Sequence, residues 1–248
     1  MDPSLKLPGD IVACLFDMDG VLTKTAEVHA AAWKEMFDGF LRSRAKHTGT
    51  AFVPFDAVRD YDEYVDGRPR TDGTREFLRS RAIELPEGQP DDPAGTETIA
   101  GLSNLKNQLV LARIRDQGVE AYPGSVRFVE AARKSGRRTA VVSSSANTHA
   151  VLESAGLTDL MDAMVDATVA TSEHLAGKPA ADTYLAAARR LGVEPAAAAV
   201  FEDALAGVAA GRAGGFGLVV GVDRVGQAAE LEEHGADIVV TDLADLIG

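Results

Sequence analysis

The stretch that decides the fold is Ile11-Val12-Ala13-Cys14-Leu15-Phe16-Asp17-Met18-Asp19-Gly20, an apolar run that ends in two carboxylates and a glycine. A short apolar run of this kind is typical of a strand that is covered on both faces. Ligands of open parallel sheets bind at the carboxyl ends of the strands. The stretch therefore predicts a buried parallel strand that brings Asp17 and Asp19 to a binding edge.

Similar apolar runs return along the chain, and helical patterns separate them. The candidate strands are Ile11–Phe16, Thr139–Val142, Ala163–Val165, Ala198–Phe201, Leu218–Val220 and Ile238–Val240. Apolar residues at helical spacing stop at Gly136 and at Gly192, and a glycine just past a helix is a common C-terminal signal. The alternation predicts an α/β fold with a doubly wound parallel sheet.

One segment interrupts this alternation, from about Thr25 to about Gly118. It contains three helical patterns, at Ala26–Phe40, Thr74–Ile83 and Leu105–Asp116, with irregular pieces between them. We predict a helical domain over residues 25–118, inserted after the first strand. The α/β core would then consist of residues 1–24 and 119–248.

Composition excludes several classes of protein. The 248 residues carry 25 Lys plus Arg against 38 Asp plus Glu, a net charge of −13, which disfavours binding to nucleic acid or to anionic membranes. No apolar run approaches the roughly 20 residues that cross a bilayer, and Met1-Asp2-Pro3-Ser4 does not begin a secretory signal. The single cysteine, Cys14, cannot form an internal disulfide, so we expect a cytoplasmic protein. The scattered histidines disfavour a zinc cluster, and without a large apolar stripe we expect a monomer.

A second acidic pair ends a later strand, at Val200-Phe201-Glu202-Asp203. If the two acidic strand ends converge at one edge of the sheet, their carboxylates form an all-oxygen site that suits Mg²⁺. Mg²⁺ usually keeps water and a substrate phosphate among its ligands, so the acids predict phosphate chemistry. Each pair taken alone is equally consistent with an ordinary polar strand end.

Two further loops offer groups that can hold an anion. The loop Ser143-Ser144-Ser145-Ala146-Asn147 precedes a helix, and hydroxyls and free amides at a helix start bind anions. The alternative is a serine-rich loop in which Asn147 caps the helix. The loop Gly177-Lys178-Pro179-Ala180 also precedes a helix, since proline is favoured near the first helical position. Lys178 would lie at the same edge of the sheet, although an ordinary surface lysine fits the pattern as well.

The order Asp-x-Asp, Ser, Lys, Glu-Asp at the ends of strands in one sheet resembles the haloacid dehalogenase superfamily of phosphotransferases. The resemblance implies that Asp17 is a nucleophile that becomes an aspartyl phosphate, since a carboxylate is ionised at neutral pH without a base. Asp19 would be the general acid and base. Ser143 and Lys178 would hold the phosphoryl group. The ligands of Mg²⁺ that the resemblance implies are Asp17, the carbonyl of Asp19, Glu202 and Asp203.

The sequence resembles the β-phosphoglucomutase subfamily over nearly its whole length. The segments that carry this resemblance are Asp17–His29, Ala32-Trp33-Lys34, Gly67-Arg68-Pro69-Arg70, Asn104-Leu105-Lys106-Asn107, Tyr122-Pro123-Gly124 and Phe201–Gly207. The inserted helices would be the small cap domain of that subfamily.

The subfamily resemblance implies further site residues. Thr25 and His29 would position the general acid/base and couple it to cap closure. Arg70 would hold the phosphate that is not transferred, because a guanidinium can grip phosphate with two hydrogen bonds. The other substrate-binding residues that it implies are Trp33, Lys106, Ser144, Ser145 and Asn147. Without the motifs, His29, Arg70 and Lys106 would be taken for exposed charges on helices or loops.

Several residues depart from the subfamily pattern. Ala146 stands where a lysine is expected, so one contact to the far phosphate is missing. Lys24 replaces an acid, and Gly73 replaces a serine. Residues 40–61 form a longer segment with the basic residues Arg42, Arg44, Lys46 and His47. This basic segment could steer an anionic substrate, or it could be a solvated helix end.

The leading prediction is a Mg²⁺-dependent enzyme, a β-phosphoglucomutase acting on a small sugar phosphate. It would interconvert β-D-glucose 1-phosphate and glucose 6-phosphate through a bisphosphate intermediate and a phosphoenzyme. The alternative is a sugar-phosphate phosphatase on the same scaffold, which needs only one phosphate site. A non-catalytic sugar-phosphate-binding module is disfavoured because the acids and Lys178 are all present.

Overall fold

The structure is a computed structural model, and it describes residues 5–248. Residues 1–4, to which part of the signal-sequence prediction refers, lie outside the described residues. Two compact units divide the chain. The α/β unit takes the described residues up to Lys24 together with Val119–Gly248, and the helical unit is Thr25–Gly118.

The α/β unit is built on a parallel sheet, which confirms the predicted fold class. Its described strands are β1 (Ala13–Phe16), β2 (Arg138–Val142), β3 (Ala163–Val165), β4 (Ala198–Glu202), β5 (Leu218–Val222) and β6 (Ile238–Val240). Their order across the sheet is β3-β2-β1-β4-β5-β6. The predicted strands are all present, with ends that move by one or two residues. For example, β1 begins at Ala13 rather than Ile11, because Val12 is 46% exposed and lies outside the covered part.

The strand order brings three loops to one edge of the sheet. β1 pairs with β2 on one side and with β4 on the other, and Phe16 lies level with Val141 and Phe201. The loops that follow these three strands therefore begin side by side. The rings of Phe16 and Phe201 stack at 4.8 Å, which gives the first and fourth strands a common buried support. This is the switch point of an open α/β sheet, where ligands bind.

Helices surround the sheet and form the inserted unit. The described helices are α1 (Ala26–Thr48), α2 (Arg59–Tyr64), α3 (Arg70–Ser80), α4 (Ile99–Gln117), α5 (Pro123–Lys134), α6 (Thr148–Ser154), α7 (Ala167–Ser172), α8 (Asp182–Leu191), α9 (Leu205–Ala213) and α10 (Ala228–Glu233). Within the described residues, no helix combines the length and apolar content needed to cross a bilayer.

The helical unit differs from its prediction at the helix ends. α1 continues past Phe40 to Thr48, and Gly49, with a positive φ of 68°, ends it. α3 begins at Arg70, earlier than predicted. α4 begins at Ile99, where the Thr98 side chain accepts a hydrogen bond from the Gly101 amide. The short helix α2 was not predicted, since polar residues dominate it.

An aromatic cluster forms the core of the helical unit. Trp33 stacks on Phe37 at 5.2 Å, and Phe37 in turn contacts Phe55 and Phe77 at 5.2 Å and 4.1 Å between ring centroids. Aromatic side chains bury large apolar areas, so this cluster joins α1 to α3 and to the loop before α2.

Candidate active site

Asp17 follows directly after β1 and is held by backbone hydrogen bonds on both sides. Its amide donates to the Phe201 carbonyl at 2.9 Å, so the loop after β1 begins against the end of β4. The next carbonyl, that of Met18, accepts from the Leu22 and Thr23 amides, each at 2.9 Å. Asp17 is only 6% exposed. The nucleophile predicted from the sequence therefore lies buried on a rigid loop.

Two glycines allow the acidic loops to approach each other. Gly20 has a positive φ of 82°, and a Cβ there would clash with the carboxylate of Asp203. A Cβ at Gly207 would likewise clash with the carboxylate of Glu202. Carboxylate oxygens of Asp17, Glu202 and Asp203 lie within 4.8 Å of one another, so the three side chains come together as the sequence predicts. Asp19 lies on the same loop as Asp17 and is partly buried.

Lys178 lies inside this acidic cluster and is 3% exposed. Its Nζ donates to Asp17 Oδ1 and to Glu202 Oε1, both at 2.5 Å, and approaches the Val142 carbonyl at 3.3 Å. The alternative of an ordinary surface lysine is therefore wrong. The helix that follows begins at Asp182, three residues beyond Pro179, so this proline does not mark its first position.

The charges in the cluster shift one another's protonation. Burial raises the pKa of Asp17 well above its ordinary value, Lys178 lowers it, and the carboxylates of Glu202 and Asp19 raise it. Burial lowers the pKa of Lys178, but the attraction of Asp17 and Glu202 outweighs burial and raises it overall. Lys178 therefore stays an ammonium at neutral pH.

The donor set fits a hard divalent cation. When ionised, the carboxylates of Asp17, Glu202 and Asp203 carry −3, and the ammonium of Lys178 leaves −2 (−3 + 1). Buried charges are costly unless they are balanced, and carboxylate oxygens are the ligands that Mg²⁺ prefers. These three side chains are therefore the residues that could hold the metal.

The serine-rich loop after β2 is ordered by its own hydroxyl groups. The Ser143 amide donates to the Val165 carbonyl at 3.0 Å, and Ser143 Oγ accepts from the Ser145 amide at 3.1 Å. Ser145 Oγ in turn accepts from the Asn147 amide at 3.1 Å. Asn147 occupies the cap position of α6 but makes no side-chain capping bond, so capping does not account for it. Ser144 lies between the two serines and is partly buried.

Tyr184 belongs to the cluster, although the sequence indicated only an apolar position on its helix. Its hydroxyl donates to Glu202 Oε1 at 2.8 Å, and Lys178 Nζ lies 5.0 Å from the ring centroid. Burial raises the pKa of Tyr184 well above its ordinary value, so the hydroxyl remains a donor. A buried tyrosine usually needs a hydrogen-bond partner for its hydroxyl, but the sequence does not indicate which residue that partner is.

In the helical unit, three residues singled out from the sequence lie together. Lys106 Nζ is 2.9 Å from His29 Nδ1 and 4.7 Å from the Trp33 ring centroid. Lys106 is 5% exposed, so the alternative that it is an exposed charge on a helix is wrong. Thr25 is buried one residue before α1, and its carbonyl accepts from the His29 amide at 2.9 Å.

Arg70 begins α3 and is partly buried. Burial lowers the pKa of its guanidinium. Among residues 5–248, no carboxylate pairs with this guanidinium, whereas the nearby Arg75 binds both Asp72 and Glu87. A partly buried cation of this kind is suited to an anionic ligand.

The basic segment on α1 is a helix end. Arg42 lies 4.9 Å over the Phe52 ring, and His47 Nδ1 is 2.8 Å from the Ser43 carbonyl. Basic side chains stabilise the C-terminal end of a helix through its dipole. These contacts favour a solvated helix end over a segment that steers an anionic substrate.

A sequence profile described as haloacid dehalogenase-like hydrolase matches residues 11–215. The chain belongs to the haloacid dehalogenase-like hydrolases. A β-phosphoglucomutase of Mycobacterium tuberculosis is 56% identical over 246 residues, which cover 98% of this chain and 94% of that protein. A β-phosphoglucomutase of Bacillus subtilis is 30% identical, over 94% of this chain and 91% of that protein.

A solved structure extends the comparison to the fold. The β-phosphoglucomutase of Clostridium difficile has a TM-score of 0.73 at 23% identity, covering 95% of this chain and 93% of that one. At that identity the likeness concerns the fold alone. Together these findings confirm the predicted superfamily, the β-phosphoglucomutase-like group within it, and that the protein is an enzyme.

Proposed function

We propose that this haloacid dehalogenase-like hydrolase is a Mg²⁺-dependent phosphotransferase that interconverts β-D-glucose 1-phosphate and glucose 6-phosphate. The observation that carries the proposal is the buried cluster of Asp17, Lys178, Glu202 and Asp203 at the switch point of the sheet. The choice of sugar is supported by the relative of 56% identity named β-phosphoglucomutase. We further propose that the enzyme acts as a monomer in the cytoplasm.

The cation would be held by Asp17, Glu202, Asp203 and the carbonyl of Asp19. When bound, Mg²⁺ supplies positive charge that screens the nucleophile from the phosphate oxygens. Lys178 supplies a second positive charge from the protein itself. It is kept in place by Asp17 Oδ1 and Glu202 Oε1, so it needs no rearrangement to act on the transferring group.

The transfer itself is a substitution at phosphorus by the Asp17 carboxylate. An Asp17 oxygen forms a bond to phosphorus while the bond from phosphorus to the sugar oxygen breaks, and Asp19 gives the departing oxygen a proton. When the bound sugar is glucose 1,6-bisphosphate and Asp17 takes the phosphate on C1, this half leaves glucose 6-phosphate and the aspartyl phosphate. In the other half, Asp19 takes the proton of the 6-hydroxyl of β-glucose 1-phosphate as that oxygen attacks the aspartyl phosphate. That half frees Asp17 and forms glucose 1,6-bisphosphate, which rebinds in the opposite orientation for the next transfer.

A mutase also needs a place for the phosphate that is not transferred. We propose that Arg70 holds it. Its guanidinium is partly buried, and no carboxylate within residues 5–248 pairs with it, which supports this role. Ser144, Ser145 and Asn147 would contribute from the loop after β2. Residues proposed to serve the sugar and the acid/base are His29, Lys106, Trp33 and Thr25.

A phosphatase is the second candidate, and Ala146 is the observation that favours it. A methyl side chain at this position offers no charge to the far phosphate, which weakens the hold on a bisphosphate. Water would then accept the phosphoryl group from Asp17. The two functions share the chemistry of the first half-reaction and differ only in the acceptor.

One assay separates the two functions. Purified protein is supplied with β-glucose 1-phosphate, Mg²⁺ and a trace of β-glucose 1,6-bisphosphate, and glucose 6-phosphate is measured against free phosphate. If the protein is a mutase, we expect glucose 6-phosphate in large excess over free phosphate. We expect the Asp17→Asn variant to form neither product and to incorporate no label from the bisphosphate. Free phosphate as the main product would establish the phosphatase, and labelled Asp17→Asn protein would contradict the assignment of the nucleophile.

A further inference from the structure

The loop after β5 contacts both acidic loops of the active site, although it carries none of the residues proposed to react. It runs from Asp223 to Gln227. Arg224 Nε donates to the Gly20 carbonyl at 2.7 Å, on the loop that carries Asp17 and Asp19. Gln227 Nε2 donates to the Asp203 carbonyl at 3.0 Å, on the loop that carries the other acids. One segment thus holds the backbones of both loops.

The segment is itself well ordered. Asp223 Oδ1 accepts hydrogen bonds from the amides of Val225, Gly226 and Gln227, at 3.2 Å, 2.7 Å and 2.9 Å. The Asp223 amide donates to the Val240 carbonyl at 2.8 Å, which ties the segment to the end of β6. A segment can position catalytic loops only if it is itself rigid, and these hydrogen bonds keep the segment rigid.

The Arg224 side chain is fixed at three points. Besides its bond to Gly20, its Nη1 donates to the Thr241 carbonyl at 2.8 Å, and its guanidinium carbon lies 3.7 Å over the Tyr122 ring. Within residues 5–248, its Nη2 is buried without a hydrogen-bond partner. The unpaired donor costs stability, which the two hydrogen bonds and the ring contact must offset.

Arg224 binds Gly20, and the two acidic loops contact each other at Gly20. Gly20 lacks a side chain and has the Asp203 carboxylate against its Cα, as its positive φ and the clash of any Cβ indicate. Arg224 fixes the carbonyl of the same residue, and Gln227 fixes the carbonyl of Asp203. A small displacement at either bond changes the separation between the Asp17 and Asp203 carboxylates.

We propose that Arg224 and Gln227 are positioning residues that set the separation of the two acidic loops. This inference rests on the proposed function, in which those loops hold Mg²⁺ and the nucleophile. Its consequence is that loss of either side chain weakens Mg²⁺ binding before any chemistry takes place. Neither residue belongs to the groups proposed to touch the substrate or the reacting atoms.

The test measures Mg²⁺ affinity by calorimetry, without substrate, at a temperature well below unfolding. Arg224→Met keeps an unbranched apolar stem but removes the donors, and we expect it to raise the Mg²⁺ Kd by about fivefold or more. Gln227→Met removes one neutral donor, and we expect a rise of about two- to fivefold. Arg224→Lys can still donate to one carbonyl, so it should recover part of the affinity.

A control removes an arginine that also donates to a backbone carbonyl, at the opposite edge of the sheet. Arg133 Nη1 donates to the Leu160 carbonyl at 3.1 Å and pairs with Asp162 at 2.9 Å, near the start of β2 and β3. Arg133→Met should lower the melting temperature and leave the Mg²⁺ Kd unchanged. If Arg224→Met does not fold, Arg224→Lys and Gln227→Met still carry the test.

Two outcomes would overturn the inference in distinguishable ways. If Arg224→Met and Gln227→Met melt earlier but bind Mg²⁺ as the wild type does, they are structural residues only, and the proposed function stands. If the wild-type chain itself binds no Mg²⁺, the proposed function fails, and the positioning role fails with it. Weaker Mg²⁺ binding in both variants, partial recovery in Arg224→Lys and none of this in Arg133→Met would support the inference.

Discussion

Replacement of Tyr184 by phenylalanine tests how the buried cluster is held together. The change removes one hydroxyl, and the ring can keep its place in the core. Glu202 then loses the bond of 2.8 Å to its Oε1 and keeps those from Lys178 and from the Ala204 amide. Tyr184 and Glu202 are both fully buried, so water has no access to replace the lost donor. A hydrogen bond to a charged group contributes about 1.5–3 kcal/mol, and we expect the free energy of unfolding to fall by that amount.

The assay is urea unfolding of the metal-free protein, followed by circular dichroism, with Tyr64→Phe as the control. Tyr64 belongs to the helical unit and is only partly buried, so water can replace the Glu63 and Ser80 partners of its hydroxyl, and the loss should stay within about 0.5 kcal/mol. Because the Tyr184 hydroxyl does not touch the reacting atoms, kcat should change much less than in Asp17→Asn. A loss for Tyr184→Phe no larger than that of the control would show that Glu202 does not depend on the tyrosine hydroxyl.

Three further predictions concern the far phosphate, the metal and the helical unit. Arg70→Ala should weaken use of sugar bisphosphate by at least about tenfold and spare hydrolysis of p-nitrophenyl phosphate, whose one phosphate needs no second site; equal losses on both substrates would contradict the assigned role. Asp203→Asn should raise the Mg²⁺ concentration needed for half-maximal activity while urea unfolding changes little, and an unchanged Mg²⁺ titration would count against Asp203 as a ligand. Burial and the neighbouring Asp56 raise the pKa of Asp62 to about 6, so its ionisation destabilises the folded state as pH rises from its unfolded value near 4 through 6. Asp62→Asn should therefore stabilise the protein by about 1 kcal/mol at pH 8 and hardly at all at pH 4, and a gain that is equal at both values would contradict the shift.

Local patterns in the sequence were enough to predict the strands and the loops that follow them. A buried parallel strand must be apolar on both faces, so each one is visible as a short apolar run. The acids after Phe16 and Phe201 and the lysine before the helix at Asp182 could be placed at one edge, because parallel strands end on the same side. Helix ends in the inserted unit were less predictable: α1 runs through Gly39 and continues to Thr48, although its buried positions end at Leu41.

The α/β class, the inserted helical segment and the residue types of the candidate active site can be predicted from the sequence, since each depends on residues that are close together along the chain. The folded chain adds that Lys178 is buried between Asp17 and Glu202, that Tyr184 donates to Glu202, and that Arg224 and Gln227 hold the two acidic loops. These contacts join residues that are far apart in the chain, such as Gly20 and Arg224. Such pairs cannot be predicted from periodicity or spacing, because they depend on the order of the strands across the sheet.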